Sequence, residues 1–227
     1  MLSVLIPCYN EKDTIELIID KILNLKNIDK EIIIIDDCSI DGTKDILKNK
    51  IENKVSKIIY NEANYGKGYC IKKGIDASTG DIILVQDADL EYDPKEYGKL
   101  ISPIKNGHAD VVYGSRFIGS EEKRILFFWH TVANKLLTLL SNMFTNLNLT
   151  DMETCYKVFK SGLVKKIDLQ EKGFGFDPEI TAKISKLKPR IYEVGISYFG
   201  RTYDQGKKIG LKDAFIVLKC IIKYNLF

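Results

Sequence analysis

This sequence has little histidine and no paired cysteine. His108 and His130 are its two histidines, and the five cysteines (Cys8, Cys38, Cys70, Cys155 and Cys220) are scattered, with no CxxC among them. A zinc centre and a disulfide framework both lose their usual signature, and a reducing, cytoplasmic compartment suits such a chain. An excess of one charge is missing too. Lys and Arg number 34 against 31 Asp and Glu, a net charge of +3, which is too even for a nucleic-acid surface. No charge-poor apolar run reaches the ~18 residues of a membrane span. The nearest are "ILFFWHTVANKLLTLLSNMF" (125–144), broken by His130, Asn134 and Lys135, and "AFIVLKCIIKYNLF" (214–227), broken by Lys219 and Lys223. The opening "MLSVLIPCYNE" meets Pro7 and polar residues too early for a signal peptide. There is no GxSxG nucleophile motif, and no GxGxxG follows the first strand pattern, which disfavours a dinucleotide oxidoreductase.

What is present is the composition of a globular protein, 45% hydrophobic and 29% charged over 227 residues, long enough for a substantial core. The first half alternates strand and helix patterns. "LSVLIP", "EIIIIDD", "VSKIIYN", "DIILVQDAD" and "ADVVYGS" read as strands. Between them, "DTIELIIDKIL" spaces Ile15, Ile18, Ile19, Ile22 and Leu23 on one helical face. "DGTKDILKNK" reads as a helix with Asp41 as its cap, and "GKGYCIKKGIDAS" and "PKEYGKLISPIKNG" are two more. Alternation of this kind predicts an α/β fold with a mostly parallel, doubly wound sheet and helices on both faces. The second half is less regular: an aromatic helix over 125–144, a turn near Asp151, a helix in "DPEITAKISKLK", a strand in "RIYEVGISYF" and a terminal helix. Without a repeat or a low-complexity linker, residues 1–227 are expected to form a single domain with a C-terminal elaboration.

Three strand patterns end in polar residues: Pro7-Cys8-Tyr9-Asn10-Glu11, Asp36-Asp37, and Asp87-Ala88-Asp89. Ligands of open α/β sheets bind at the carboxyl ends of the strands. Asp87 and Asp89, two apart on an extended segment, point the same way. Such a pair suits a hard divalent cation, Mg²⁺ or Mn²⁺, shared with phosphate oxygens. The plain alternative is that these acids cap the next helix or meet lysines on a solvated face. Lys67, between Gly66 and Gly68, opens a helix where backbone N–H groups favour anions.

Read in order, "SVLIPCYNE", "EIIIIDDCSIDGT", "NYGKGYCIKKGIDASTGDIILVQDADLEYDP" and "VVYGSRF" resemble the successive signatures of family 2 glycosyltransferases with the GT-A nucleotide-diphospho-sugar transferase fold. Within that family the chain is similar to the dolichyl-phosphate mannosyltransferase and polyprenyl-phosphate glycosyltransferase branch. The similarity is specific over residues 2–118 and weaker through "TDMETCYKVF", "GFGFDPEI" and "GRTYDQGKKIG". It implies an inverting transfer from a UDP- or GDP-sugar, with residues 1–118 binding the nucleotide sugar and 119–227 the acceptor. It further implies that Pro7, Tyr9 and Glu11 line the nucleotide pocket, that Asp37 takes the base or ribose, and that Asp87, Asp89 and Glu91 meet the metal. Lys67 and Asp87 are assigned to the donor diphosphate.

On the acceptor side, Arg116, Lys157, Arg201 and Lys208 match or supplement basic positions of that branch. Together they favour a phosphate acceptor, which is already anionic and needs little help from a base. The branch carries an arginine before the "AN" of its aromatic helix. Here Thr131 stands in that place, and Arg124 or His130 is left to supply the contact. A hydroxyl acceptor, such as a glycan, needs a carboxylate base instead; Asp177 and Glu179 are the candidates, so Asp89, Arg116 and Glu179 form the expected catalytic set. The aromatic helix and the lysine-bearing terminal helix either pack inward or rest on a membrane surface beside a lipid acceptor. The expectation is a peripheral enzyme at the inner face of the membrane, compatible with a homo-oligomer. A non-catalytic, Mg²⁺-binding signalling module fits less well, because receiver domains place their acid pair after the first strand.

Overall fold

The computed structural model describes residues 1–125, 127–205 and 210–226, apart from the side chains of Tyr203 and Leu211. Seven strands form one sheet: β1 (Leu2–Cys8), β2 (Lys30–Asp36), β3 (Lys57–Tyr60), β4 (Ile82–Val85), β5 (Val111–Ser115), β6 (Lys157–Lys160) and β7 (Ile191–Gly195). Their spatial order is β3-β2-β1-β4-β6-β5-β7. The pairings of β1 with β2 and β4, of β2 with β3 and of β5 with β7 are parallel. β6 alone runs antiparallel, to both β4 and β5.

Among the described residues, eight α-helices connect or follow the strands and cover both faces: α1 (Ile15–Leu23), α2 (Thr43–Ile46), α3 (Lys67–Ala77), α4 (Tyr97–Lys105), α5 (Phe128–Thr145), α6 (Ser161–Val164), α7 (Phe176–Lys186) and α8 (Leu211–Leu226). The mostly parallel, doubly wound sheet expected from the alternating pattern is therefore present. The helix expected over 41–50 is shorter than its pattern. One α turn passes into a π turn over Leu47–Ile51, and Asp41 accepts from the Thr43 N–H at 3.0 Å.

Residue character explains the layers. Ile32 to Ile35 of β2 and Ile82 to Val85 of β4 are buried without alternation, because helices cover both sides of those strands. α1 buries Ile15, Ile18, Ile19 and Ile22 at helical spacing. Burying such a side chain stabilises the fold by about 1.5–3 kcal/mol.

Residue 118 is not a seam in this sheet. β6 inserts between β4 and β5, so the later part of the chain supplies an inner strand. α5 and α8 pack chiefly on each other and on α7. α5 buries Thr138 and Ser141 while exposing Phe128 (69%), Trp129 (75%) and Met143 (72%). Phe215 of α8 is 73% exposed.

Candidate active site

β1 is flanked by β2 on one side and β4 on the other, so the strand order reverses there. This is the switch point at which open α/β sheets leave a crevice. The chain turns sharply after each of these strands, through left-handed backbone at Asn10 (φ 53), Cys38 (φ 63) and Leu90 (φ 64). Non-glycine residues rarely adopt that region. These turns bring Glu11, Asp37, Asp87 and Asp89 to one rim.

Asp87 and Asp89 act on each other across the turn at 88–89 rather than along an extended strand, each already facing a cation. Lys67 Nζ is 2.6 Å from Asp87, and Arg201 Nη2 is 2.8 Å from Asp89. Burial works to raise the Asp87 carboxyl, but the Lys67 ammonium outweighs it and leaves Asp87 below its usual range. Burial works equally against the Lys67 charge, and Asp87 reverses it, raising the amine above its usual range. Asp89 is in the opposite position. Burial, with repulsion from Asp87 and Glu91, pushes its carboxyl up to about 7.

Arg201 is the hub of the rim. Its Nη1 lies 3.3 Å from Glu11, and its backbone N–H donates to Glu91 at 2.8 Å. Tyr198 donates to Glu91 at 2.8 Å, and the Phe199 N–H donates to the Glu91 carbonyl at 2.9 Å. Arg124 fastens the same segment through the Gly200 carbonyl and the Gln205 side chain. Glu91, expected on the metal, is instead tied to this 198–201 segment.

The donor set fits a divalent cation in charge and in kind. Among the described residues, Glu11, Asp87, Asp89 and Glu91 place four carboxylates against two cations, Lys67 and Arg201, a deficit of two positive charges. The raised Asp89 carboxyl is its symptom. No three of the described His, Cys, Asp or Glu residues gather as a ready-made metal cage. Two carboxylates completed by substrate phosphate oxygens match how Mg²⁺ is commonly held.

Several expected site residues have other partners. Asp37 accepts from Asn61 Nδ2 at 2.7 Å, the Tyr65 N–H at 3.0 Å and the Gly66 N–H at 2.7 Å, so its buried carboxylate holds the loop that leads into α3. The helix start at Lys67 is not the open anion site that its glycines suggest. The Tyr65 and Gly66 N–H groups just before it go to Asp37, and within its first turn the Tyr69 N–H goes to the Lys172 carbonyl. Gly66 (φ 99) is required there, since a Cβ would lie 2.5 Å from the Lys172 carbonyl oxygen.

Lys157 is not a surface lysine awaiting an acceptor. It is 0% exposed, and its ammonium donates to Asp177 and to the Thr154 carbonyl. Glu179 is corrected likewise. Its buried carboxylate accepts from the Gln170 N–H at 2.7 Å, the Glu171 N–H at 2.8 Å and Lys183 at 2.6 Å. Both acids considered as bases are thus spent on internal contacts. Pro7 is the penultimate residue of β1 and Tyr9 follows the strand's last residue, Cys8, at the same rim. Lys208 lies outside the described residues.

Arg116 follows β5 and is clamped by Asp151 through contacts of 2.6 and 2.7 Å, with its guanidinium 5.2 Å from the centre of the Tyr198 ring. Asp151 was legible in the sequence as a turn and not as this clamp. Glu153 was missed altogether. It stands among Arg116, Asp151, Lys157 and Asp177, and burial, followed by the Asp177 charge, pushes its carboxyl up to about 8. An acid inside the apolar stretch "METCYKVF" was the available signal. Two cavities, of about 820 and 620 Å³, lie elsewhere. One is lined by Asp110, Lys160 and Lys166, the other by Lys26, Lys95 and Lys105, and neither contains the rim acids.

Comparison with known proteins places this geometry in context. The glycosyl transferase family 2 model matches residues 3–168. The dolichol-phosphate mannosyltransferase of Pyrococcus furiosus is 28% identical over 212 residues, which cover 91% of this chain and 60% of that protein. The chain therefore spans less than two thirds of that relative's length. The undecaprenyl-phosphate mannosyltransferase of Micrococcus luteus is 25% identical over 218 residues, covering 91% of this chain and 86% of the relative. Among solved structures, the glucosyl-3-phosphoglycerate synthase of Mycobacterium tuberculosis, in complex with Mn²⁺, UDP and glucosyl-3-phosphoglycerate, superposes with a TM-score of 0.77 at 20% identity. That match covers 100% of this chain and 80% of the other. The fold is the GT-A fold of glycosyltransferases.

Proposed function

This chain belongs to glycosyl transferase family 2, and from that premise we propose that it moves a sugar, with inversion, from a UDP- or GDP-sugar to a polyprenyl phosphate at a membrane surface. The observation that carries the reading is the crevice beside β1, where Asp87 and Asp89 follow β4 and face Lys67 and Arg201 with positive charge in deficit. Mg²⁺ or Mn²⁺ would be held by Asp87 and Asp89, and when bound it neutralises the charge that develops on the departing nucleoside diphosphate. Lys67, kept protonated by Asp87, supplies a second positive charge to that diphosphate. Pro7, Tyr9 and Glu11 line the nucleotide side, and Asp37 shapes it by fixing the 61–66 loop.

Arg116 and Arg201 receive the acceptor phosphate from the other side. An acceptor phosphate is an anion before it reacts, so it needs cations more than a base. The engagement of Asp177 and Glu179 with Lys157, Lys183 and backbone N–H groups supports that acceptor over a hydroxyl. The apolar faces of α5 and α8, carrying Phe128, Trp129, Met143 and Phe215, are proposed to rest on the membrane beside the lipid chain. Among the described helices none is long and apolar enough to cross a membrane.

The test is a panel of UDP- and GDP-sugars offered with polyprenyl phosphate or with free glycans, in Mg²⁺ or Mn²⁺. Transfer to the lipid phosphate is expected. Full-rate transfer to a soluble hydroxyl without lipid would overturn the acceptor assignment.

A further inference from the structure

We propose that Glu153 binds hydroxyl groups of the transferred sugar and so helps to set which nucleotide sugar is accepted. The proposal rests on the donor reading above and is independent of the acceptor. Glu153 belongs to the loop joining α5 to β6. At one end of this loop Asp151 clamps Arg116, the guanidinium assigned to the acceptor. At the other end the Cys155 thiol donates to the Val85 carbonyl at 3.8 Å, and Cys155 acts electrostatically on Asp87, the carboxylate assigned to the diphosphate. In an inverting transfer the sugar lies between the leaving diphosphate and the incoming acceptor. Glu153 stands midway along the stretch that connects their two holders. The Lys157 charge acts on both Asp87 and Glu153, so the two carboxyls share a neighbourhood.

The side chain lacks a partner of its own. Oε1 of Glu153 is buried and has no hydrogen-bond partner among the described residues, and Thr154 Oγ1, next in the chain, is in the same state. Buried polar atoms nearly always have partners, so an orphan at a site points to a ligand that supplies one. The surrounding cations are committed: Arg116 to Asp151, and Lys157 to Asp177 and the Thr154 carbonyl. Asp151 and Asp177 stand beside Glu153, so the immediate surroundings of its Oε1 disfavour a further anion. A sugar hydroxyl, which both gives and takes a hydrogen bond, finds a match. With its carboxyl pushed up to about 8, Glu153 is protonated near neutral pH and offers both an O–H donor and an acceptor. Sites built to hydrogen-bond a substrate hydroxyl discriminate strongly against analogues that lack it.

The test is calorimetry on the full chain in Mn²⁺. UDP and GDP are compared with UDP-glucose, UDP-galactose and GDP-mannose. Glu153→Leu is expected to bind the nucleotide sugar preferred by the unmodified chain about tenfold to a hundredfold more weakly, with the bare nucleotide unchanged. Glu153→Gln keeps a donor and an acceptor and should recover most of that loss, which also guards against a folding defect in the leucine variant. Equal losses for nucleotide and nucleotide sugar, or no loss for either, overturn the proposal. If the unmodified chain binds none of the panel, the donor reading falls and this proposal falls with it. No acceptor is present in the measurement, so failure of the lipid-phosphate reading cannot be mistaken for failure here.

Discussion

The Arg201 guanidinium lies 2.8 Å from the Asp89 carboxylate, 112 residues away in the sequence. The same guanidinium reaches Glu11 and Glu91. It therefore puts positive charge where a metal on Asp89 would put it, and the two compete. Arg201→Ala is expected to bind Mn²⁺ more tightly in the absence of donor, read by paramagnetic resonance titration. Its transfer to polyprenyl phosphate should slow by about tenfold or more, while donor hydrolysis changes less. Weaker Mn²⁺ binding in the variant would show that Arg201 supports the metal instead.

Asp89→Asn should abolish transfer and leave the fold intact. Burial and two neighbouring carboxylates make the Asp89 charge costly, since they hold the carboxyl near 7. The asparagine variant should accordingly melt no lower than the unmodified chain at pH 8. Excess EDTA should abolish transfer in the unmodified protein as well. Full activity in EDTA, or in the variant, would remove the metal from the mechanism.

Asp37→Ala tests a structural role. Three donors lose their acceptor, two of them backbone N–H groups at the entry to α3. A cost of about 3 kcal/mol is expected, or about 6–12 °C in Tm for a chain of this size. Donor affinity should fall along with it. An unchanged melting temperature with weakened donor binding would return Asp37 to direct contact with the nucleoside.

Trp129→Glu places a charge on the exposed apolar face of α5. Sedimentation with liposomes of anionic phospholipid should show reduced association, with nucleotide-sugar binding unaltered. Association equal to that of the unmodified chain would mean that this face does not meet the membrane.

The pH dependence of stability isolates Glu153. Its folded-state carboxyl titrates near 8, against an ordinary value of 4.5. The native state therefore holds a proton that the unfolded chain releases, and stability from this group is lost as pH rises between those values. Glu153→Gln should remove that loss. The melting temperature of the variant minus that of the unmodified chain should increase from pH 5 to pH 8. A flat difference would place the Glu153 carboxyl in the normal range.

The sequence by itself determined the elements and much of the rim. The unbroken apolar run of β2, the helical spacing of α1 and the acids just past β1, β2 and β4 are local patterns, and local backbone preference with burial suffices to interpret them. The two-residue spacing of Asp87 and Asp89 suggested their convergence, but the turn at 88–89 after β4, not an extended strand, produces it. Partnerships were a different matter. "KVFK" did not announce an antiparallel strand, because a four-residue stretch flanked by lysines carries no direction, and β6 acquires its place from the gap between β4 and β5. Lys157, Glu179 and Asp37 were legible as charges. Whether a charge meets solvent, a ligand or a buried partner depends on which distant segment packs against it. Tertiary structure settled each case: Asp177 comes to Lys157, the Gln170 and Glu171 N–H groups to Glu179, the 61–66 loop to Asp37 and Arg201 to Asp89. A carboxylate or ammonium must find a partner when it is buried, and the identity of that partner follows from the topology of the whole sheet rather than from neighbours in the chain.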